Sequence, residues 1–458
     1  MTGTGRADLL ITGGHVATVD SDRREFAGGW VAITNGFVTG VGASTDAPPE
    51  ADTILDARDC LVTPGLVNTH HHLYQNLTRA FPPMTNAPLF GWLKTLYPLW
   101  RALDEESAHV SAWVGLAELA LSGCTTSTDH LYLHPHGGGD LLSAEIAAAR
   151  DIGVRFHPTR GSMSLSEKDG GLPPDDVVQD DDTILAESQR AVERHHDRSH
   201  GAMVRVALAP CSPFSVTREL MVRSAELAES LDVRLHTHFA ENAEDDEFSL
   251  ATFGCRPFEY LRDVGWLSDR TWVAHCVMPN EAEIVELGRV GIGAAHCPSS
   301  NLILASGIAP VTSLRAAGVH VGLGVDGSSS ADSASLWLEA RQAMLLAKLR
   351  DGASAADART ALEIATVGGA GCLGRVGEIG TLSVGAVGDV AVWSLDGPRF
   401  AGAIADPVEA WLRCGPVSAR DTIVHGKFVV RGGALVSGKV DEMLSVHRVL
   451  SARMQRLV

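Results

Sequence analysis

The sequence predicts an α/β fold: a (β/α)8 TIM barrel carrying a small β-sandwich-like domain formed by both chain ends. Three observations predict it. Eight short apolar or β-branched runs, each ending in polar residues, recur through the middle of the chain. Stretches of helical composition separate them. Glycine-punctuated strand material brackets the whole at either end.

The N-terminal bracket comes first. DLLITGGHVATVD, GWVAITNGFVTGVG and DTILDARDCLVT, within residues 7–62, read as strands joined by turns, and the same style returns after about residue 380 in GTLSVGAVGDVAVWSLD and DTIVHGKFVVRGGALV. The division that follows is 1–62 for the N-terminal part of the β domain, 63–375 for the barrel, and 376–458 for the rest of the β domain with a terminal helix.

The barrel strands are GLVNTHHH (65–72), CTTSTDHLYL (124–133), VRFHPTR (154–160), MVRVALAPCS (203–212), VRLHTHFAE (233–241), TWVAHC (271–276), GIGAAHCPSSN (291–301) and VHVGLGVDGSSS (319–330). Continuous apolar runs of this length suit parallel strands covered on both faces. Intervening stretches such as LLSAEIAAARDIG and NEAEIVELGRVG end in glycine, as helix C-termini often do. In such a barrel the polar strand ends converge on the C-terminal face, where active sites form. Two long connections follow barrel strands and should lie over the pocket mouth: 76–106, rich in Pro and aromatic residues, and 161–183, rich in Gly, Pro and Asp. The second reads equally well as a floppy surface loop.

Composition narrows the function. The 458 residues are 45% hydrophobic and 20% charged, with a formal net charge of −19. No Lys/Arg run interrupts the acidity, so no nucleic-acid partner is expected. No window reaches the roughly 18 apolar residues of a membrane span, and MTGTGRADLLITGG lacks a signal-peptide core. A cytoplasmic protein without a membrane partner is the expectation. The eight cysteines include no CxxC pair, which predicts that most are buried reduced thiols.

The chemistry sits at the strand ends. His70 and His72 are two apart, so on a strand they share a side while His71 faces away. An HxH pair alone is weak. Here His236-Thr-His238-Phe-Ala-Glu241, His275 and Asp326 join it from the ends of the fifth, sixth and eighth strands. Nitrogen and carboxylate ligands suit zinc, and also iron or manganese. The H-x-E with P-C-x-x-C pattern of zinc sites that act on flipped bases is absent. Other histidines have plainer readings: His195, His196 and His200 solvated, His134 and His136 on a surface loop, His130 and His157 in the core or behind ligands, and His236 packed behind His238.

PGLVNTHHH, HTHFAE, VAHC and VDG, in that order, resemble the amidohydrolase superfamily, and within it the mononuclear nucleobase deaminase group. The resemblance spans nearly the whole chain. It implies that His70, His72, His238 and Asp326 ligate one divalent metal ion, zinc first and iron as the alternative. It implies that His275 and Asp326 orient and deprotonate the attacking water, and that Glu241 shuttles a proton to the ring nitrogen and on to the departing ammonia. Glu241 as a hydrogen-bonding partner of a ligand is the alternative reading. Binuclear members carry a bridging lysine on strand four; MVRVALAPCSPFS contains none, which implies a single ion.

The loops HHHLYQ, LFGWL, LYPLW, GSMSLSEKDGGLPPD, APCSPFS and HCPSSN are similar to those of the group's bacterial 8-oxoguanine deaminases. This implies hydrolysis of 8-oxoguanine to urate and ammonia, with a small purine-like molecule as the partner. Guanine-type relatives read the purine carbonyl edge with a glutamine placed like Gln75, whose amide offers both donor and acceptor. His296 is the second candidate substrate contact, and Cys297, Asn301 and Ser328 to Asp332 are candidates for reading the oxidised edge. Ala207 stands where guanine deaminases commonly carry arginine, which weakens plain guanine. The alternatives are isoxanthopterin or guanine deamination, and s-triazine amino- or chlorohydrolysis. Intact Glu241 and Asp326 argue against dehalogenation and against a barrel that merely binds a ligand. A homo-oligomer, dimer or larger, is implied by the resemblance alone.

Overall fold

The computed structural model describes residues 6–457. Residues 1–5 and 458, assigned above to the β domain, lie outside the described residues. Eight parallel strands close a barrel: Leu66–Asn68, Cys124–Leu131, Arg155–Ser162, Ala207–Pro210, Leu235–Phe239, Thr271–His275, Gly293–His296 and His320–Leu323. The pairing of Leu323 with Asn68 joins the last to the first. Seven of the strands fall inside the runs picked from the sequence, and the third, Arg155–Ser162, begins inside its run and continues two residues past it. Their unbroken apolar character has its cause here, because every residue of the second, third and sixth strands is buried.

The helices between strands begin and end where local chemistry directs. Helix Glu281–Val290 starts at Asn280, whose side chain accepts from the Glu283 N–H while Glu283 accepts from the Asn280 N–H, and it ends at Gly291 in the left-handed region. Helix Leu141–Ile152 is capped by Asp140 and ends at left-handed Gly153. Among the described residues no helix is long and apolar enough to cross a membrane.

The chain ends build one nine-stranded sheet. Ala7–Ala17 organises it by being long enough to pair with Glu25–Thr34 along one edge and with both Ala51–Asp56 and Cys60–Pro64 along the other. The C-terminal strands enter through Val390–Ser394, antiparallel to Cys60–Pro64. Leu9, Ile11, Val31 and Ile33 from one end of the chain share an apolar core with Val390, Val392 and Ile423 from the other. Cys60–Pro64 then runs through Gly65 directly into the first barrel strand, so the sheet and the barrel meet one residue apart.

The two long connections part company. Residues 76–106 form short turns and the helix Leu89–Trp100, whose Trp92 and Trp100 indole N–H groups donate to Ser329 O and Thr78 Oγ1. This connection lies over the barrel mouth. Residues 161–183 are held by Gln179, tied through Arg160 to Glu187 of helix Asp181–His195, and by Ser164 and Leu165, whose N–H groups donate to Ser215 O.

Candidate metal centre

The first barrel strand stops at Asn68, yet the alternation continues. His71 and His72 stay extended and pair with Asp326 and Gly327, just past the eighth strand. His70 and His72 therefore face inward together, and the Nε2 of each lies 3.3 Å from Asp326 Oδ1. His72 Nε2 is 3.2 Å from His238 Nε2. His71 turns away; its Nδ1 accepts from the His72 N–H at 2.8 Å.

The hydrogen bonds behind these rings decide which nitrogen is bare. His72 Nδ1–H donates to His130 O at 2.9 Å and His238 Nδ1–H to Cys211 O at 2.7 Å. His236 Nδ1–H donates to Trp272 O at 2.9 Å, so its Nε2 accepts from His70 Nδ1–H at 2.8 Å. Each of the three imidazoles is left with an Nε2 lone pair facing one point. Bare lone pairs 3.2 Å apart repel unless a cation lies between them, and His70 Nε2 is buried without a hydrogen-bond partner. Ligands on zinc at about 2.0–2.1 Å in tetrahedral array stand about 3.3 Å apart. The donor set and its spacings fit a divalent ion. Among the described residues, the histidine clusters able to hold a metal ion all include His70.

His236 stands behind His70, not behind His238 as the sequence suggested. Two residues earlier on the same face of the fifth strand, it lies one layer deeper in the barrel, level with His70. Removing such a supporting partner lowers metal affinity by about 10–100-fold. His236→Ala is therefore expected to weaken metal binding by about that factor in a chelator competition titration while the fold persists.

His275 and Asp326 adopt left-handed backbone, with φ of 70° and 57°. Such conformations cost about 1–3 kcal/mol each in non-glycine residues and concentrate at functional sites. The turn at His275 aims its Nε2 at Glu241 Oε2, 3.6 Å away, and at Asp326 Oδ2, 4.0 Å away, while its Nδ1–H donates to Asn301 Oδ1 at 3.0 Å. Asn301, grouped by sequence with the edge-reading residues, thus also orients an imidazole. Burial works against protonating His275, yet the Glu241 and Asp326 carboxylates hold its pKa above the ordinary value. Burial also pushes Glu241 up, to about 7, with the charges of Asp245 and Asp326 adding to it. Burial pushes Asp326 the same way, but His70, followed by His275 and His72, holds it well below the usual carboxylate range. The two carboxyl groups are thereby split into one that carries a proton near neutral pH and one that rests ionised, able to act as a base.

Above this floor, Trp92, Phe214, Leu89, Leu93 and Leu304 wall a narrow cavity, with Tyr132 and Gln75 at its sides. Apolar and aromatic walls around a few polar groups suit a flat heterocycle. Gln75 is buried on the turn Leu73–Thr78 and its Oε1 has no partner. Gly327 makes room for it: a Cβ there would sit 1.7 Å from that oxygen. His296 is buried at the end of the seventh strand but does not line the cavity. Of the eight residues given metal, catalytic or substrate-contact roles by sequence, the structure gathers seven around one cavity floor and wall, His70 beneath it, and leaves His296 apart; of the edge-reading candidates, Ser330 lines the cavity. Tyr132, Phe214 and Leu304 were missed as site residues; the polar tail of CTTSTDHLYL was the signal available for Tyr132.

A parallel eight-stranded barrel with three bare imidazole nitrogens, an ionised aspartate and a protonatable glutamate at its C-terminal rim defines a metal-dependent hydrolase. The chain belongs to the amidohydrolase family, which its residues 61–429 match. It is 48% identical to the 8-oxoguanine deaminase of Pseudomonas aeruginosa over 93% of this chain and 94% of that protein. It is 35% identical to an isoxanthopterin deaminase from an unknown prokaryotic organism, over 90% of this chain and 87% of that one. Its fold is similar to the crystal structure of atrazine chlorohydrolase from Arthrobacter aurescens complexed with zinc, with a TM-score of 0.92, 32% identity, and coverage of 97% of this chain and 100% of that one.

Proposed function

We propose that this chain hydrolyses 8-oxoguanine to urate and ammonia, using one divalent ion, zinc, held by His70, His72, His238 and Asp326. The observation that carries the reading is the split carboxyl pair beside bare imidazole nitrogens: Glu241 with a pKa of about 7 and Asp326 held ionised. When bound, the ion lowers the pKa of water to about 7 and so provides a nucleophile at neutral pH. Asp326 accepts the proton of the attacking water, and His275 orients that water. Glu241 delivers a proton to the ring nitrogen as the amino-bearing carbon is attacked, which removes the charge that broken conjugation would leave there. The next proton goes to the departing amine, which leaves as ammonia. Gln75 presents an amide to the heterocycle's edge, and the Trp92 and Phe214 side chains contact its faces.

The 48% identity to an 8-oxoguanine deaminase supports the oxidised purine as substrate. Glu241 supports deamination, because an amine leaves the ring carbon only with a proton to accept. His296, set off the cavity, is retained as a contact only through the residues beside it. The three-part division at 62/63 and 375/376 remains our domain reading, with the strand Cys60–Pro64 crossing the first boundary. A homo-oligomer in the cytoplasm completes the proposal. The test is release of the leaving amine from a panel of four heterocycles: ammonia from 8-oxoguanine, guanine and isoxanthopterin, and ethylamine from hydroxyatrazine. The reading predicts the highest kcat/KM for 8-oxoguanine; a preference for isoxanthopterin or hydroxyatrazine would replace it with a pterin or triazine hydrolase.

A further inference from the structure

The turn Leu73–Thr78 carries Gln75, and no side chain caps its N-terminus. Short turns leave backbone carbonyls that need outside donors. Those donors come from the far end of the chain. Ser451 Oγ–H, on helix Val440–Met454, donates to Leu77 O at 2.6 Å, and Gln455 Nε2–H, one residue past that helix, donates to the same oxygen at 2.8 Å. His447 Nε2–H, on the same helix, donates to Asn76 Oδ1 at 2.7 Å. The assignment of that proton follows from Asn76, whose Nδ2–H is committed to Ser111 O at 2.8 Å, so its oxygen faces His447. Asn76 is buried and directly follows Gln75. The other side of the turn is held by Asp129 Oδ1, which accepts from the Leu73 N–H at 2.6 Å, and by Ser329 Oγ–H, which donates to Gln75 O at 2.9 Å.

We propose that the C-terminal helix, through His447, positions the amide of Gln75, so that His447 sets substrate affinity and the choice among heterocycles without touching the reacting atoms. The inference rests on the reading of Gln75 as a substrate contact. Replacing His447 with leucine removes the N–H and leaves Asn76 Oδ1 buried and unpaired, which frees the turn on the side that faces the C-terminal helix. Glutamine at 447 still offers an N–H over a comparable reach.

The test uses full-length, metal-loaded protein in three forms: wild type, His447→Leu and His447→Gln. For His447→Leu the KM for 8-oxoguanine is expected to rise about tenfold, the factor one buried hydrogen bond represents, with kcat nearly unchanged. Discrimination against isoxanthopterin should narrow, metal content should stay at the wild-type value, and His447→Gln should recover most of the lost affinity. Hydrogen exchange of the amides of residues 73–78 should accelerate in His447→Leu and return to the wild-type rate in His447→Gln. A fall in kcat at constant KM, loss of metal, or unchanged exchange across 73–78 would overturn the proposal. If wild type does not turn over 8-oxoguanine, the substrate reading fails separately. Exchange across 73–78 then decides whether His447 positions the turn, and an unchanged rate overturns the proposal.

Discussion

Glu241→Gln is expected to lose about a thousandfold in kcat for 8-oxoguanine, within the range that removal of a general acid–base group produces. The substitution keeps size and shape, and it keeps the Glu241 N–H donated to Asp245 Oδ2 at 3.0 Å, so the local fold should persist. Glutamine cannot carry a proton between water, ring nitrogen and leaving amine. Metal content should be unchanged, because the four proposed ligands are other residues. A second readout separates a functional role from a structural one. The Glu241 carboxyl titrates at about 7 in the folded protein, against an ordinary value of 4.5. A folded-state pKa raised in this way costs stability as pH rises above the ordinary value, and the cost is complete above about 7. In metal-free protein the variant should therefore melt at a higher temperature than wild type at pH 8, with the difference vanishing near pH 4. Activity lost while stability is gained marks a group kept for chemistry. A variant that retains turnover, or that loses metal, would assign Glu241 to the support of a ligand instead.

His72→Ala should abolish metal retention after dialysis against a chelator and, with it, ammonia release, whereas His71→Ala should retain the metal. The two residues are adjacent, both buried and chemically identical, so the contrast isolates geometry. His72 Nε2 lies within 3.3 Å of both Asp326 Oδ1 and His238 Nε2. His71 Nδ1 is used by a backbone N–H, and the ring packs beside Gly115 on the outer side of the barrel. Loss of a direct ligand should exceed the about 100-fold that loss of a supporting partner causes. His71→Ala should lower the melting temperature instead, through lost packing and an unaccepted His72 N–H. Metal analysis of both variants checks this; the reverse pattern would show that the inward face of this segment had been misassigned.

That contrast was legible before any coordinates. Period-two alternation chose His70 and His72, and it held even though the barrel strand ends at Asn68, because the next residues stay extended to pair with Asp326 and Gly327. The eight strands were legible for a related reason: burial on both faces makes each an unbroken apolar run ending in its chemical residues. What stayed hidden depends on depth and stagger between strands. His236 and His238 share a face, but only the register of neighbouring strands puts the former under His70. Asn301 reaches His275 across 26 positions, which no local pattern marks. The clamp of the C-terminal helix on Asn76 spans 371 positions and joins residues with no periodic signal in common. The anchoring of 161–183 through Arg160 to Gln179 and Glu187 is again a contact made in three dimensions.

The most direct measurement is hydrolysis of 8-oxoguanine by the zinc-loaded protein in 18O-water, with the product identified by mass spectrometry and ammonia counted in parallel. Urate carrying one 18O atom is expected, formed in equal amount with ammonia, and formed about a thousandfold more slowly by Glu241→Gln. Unlabelled product, or labelled product without an equivalent of ammonia, would contradict it.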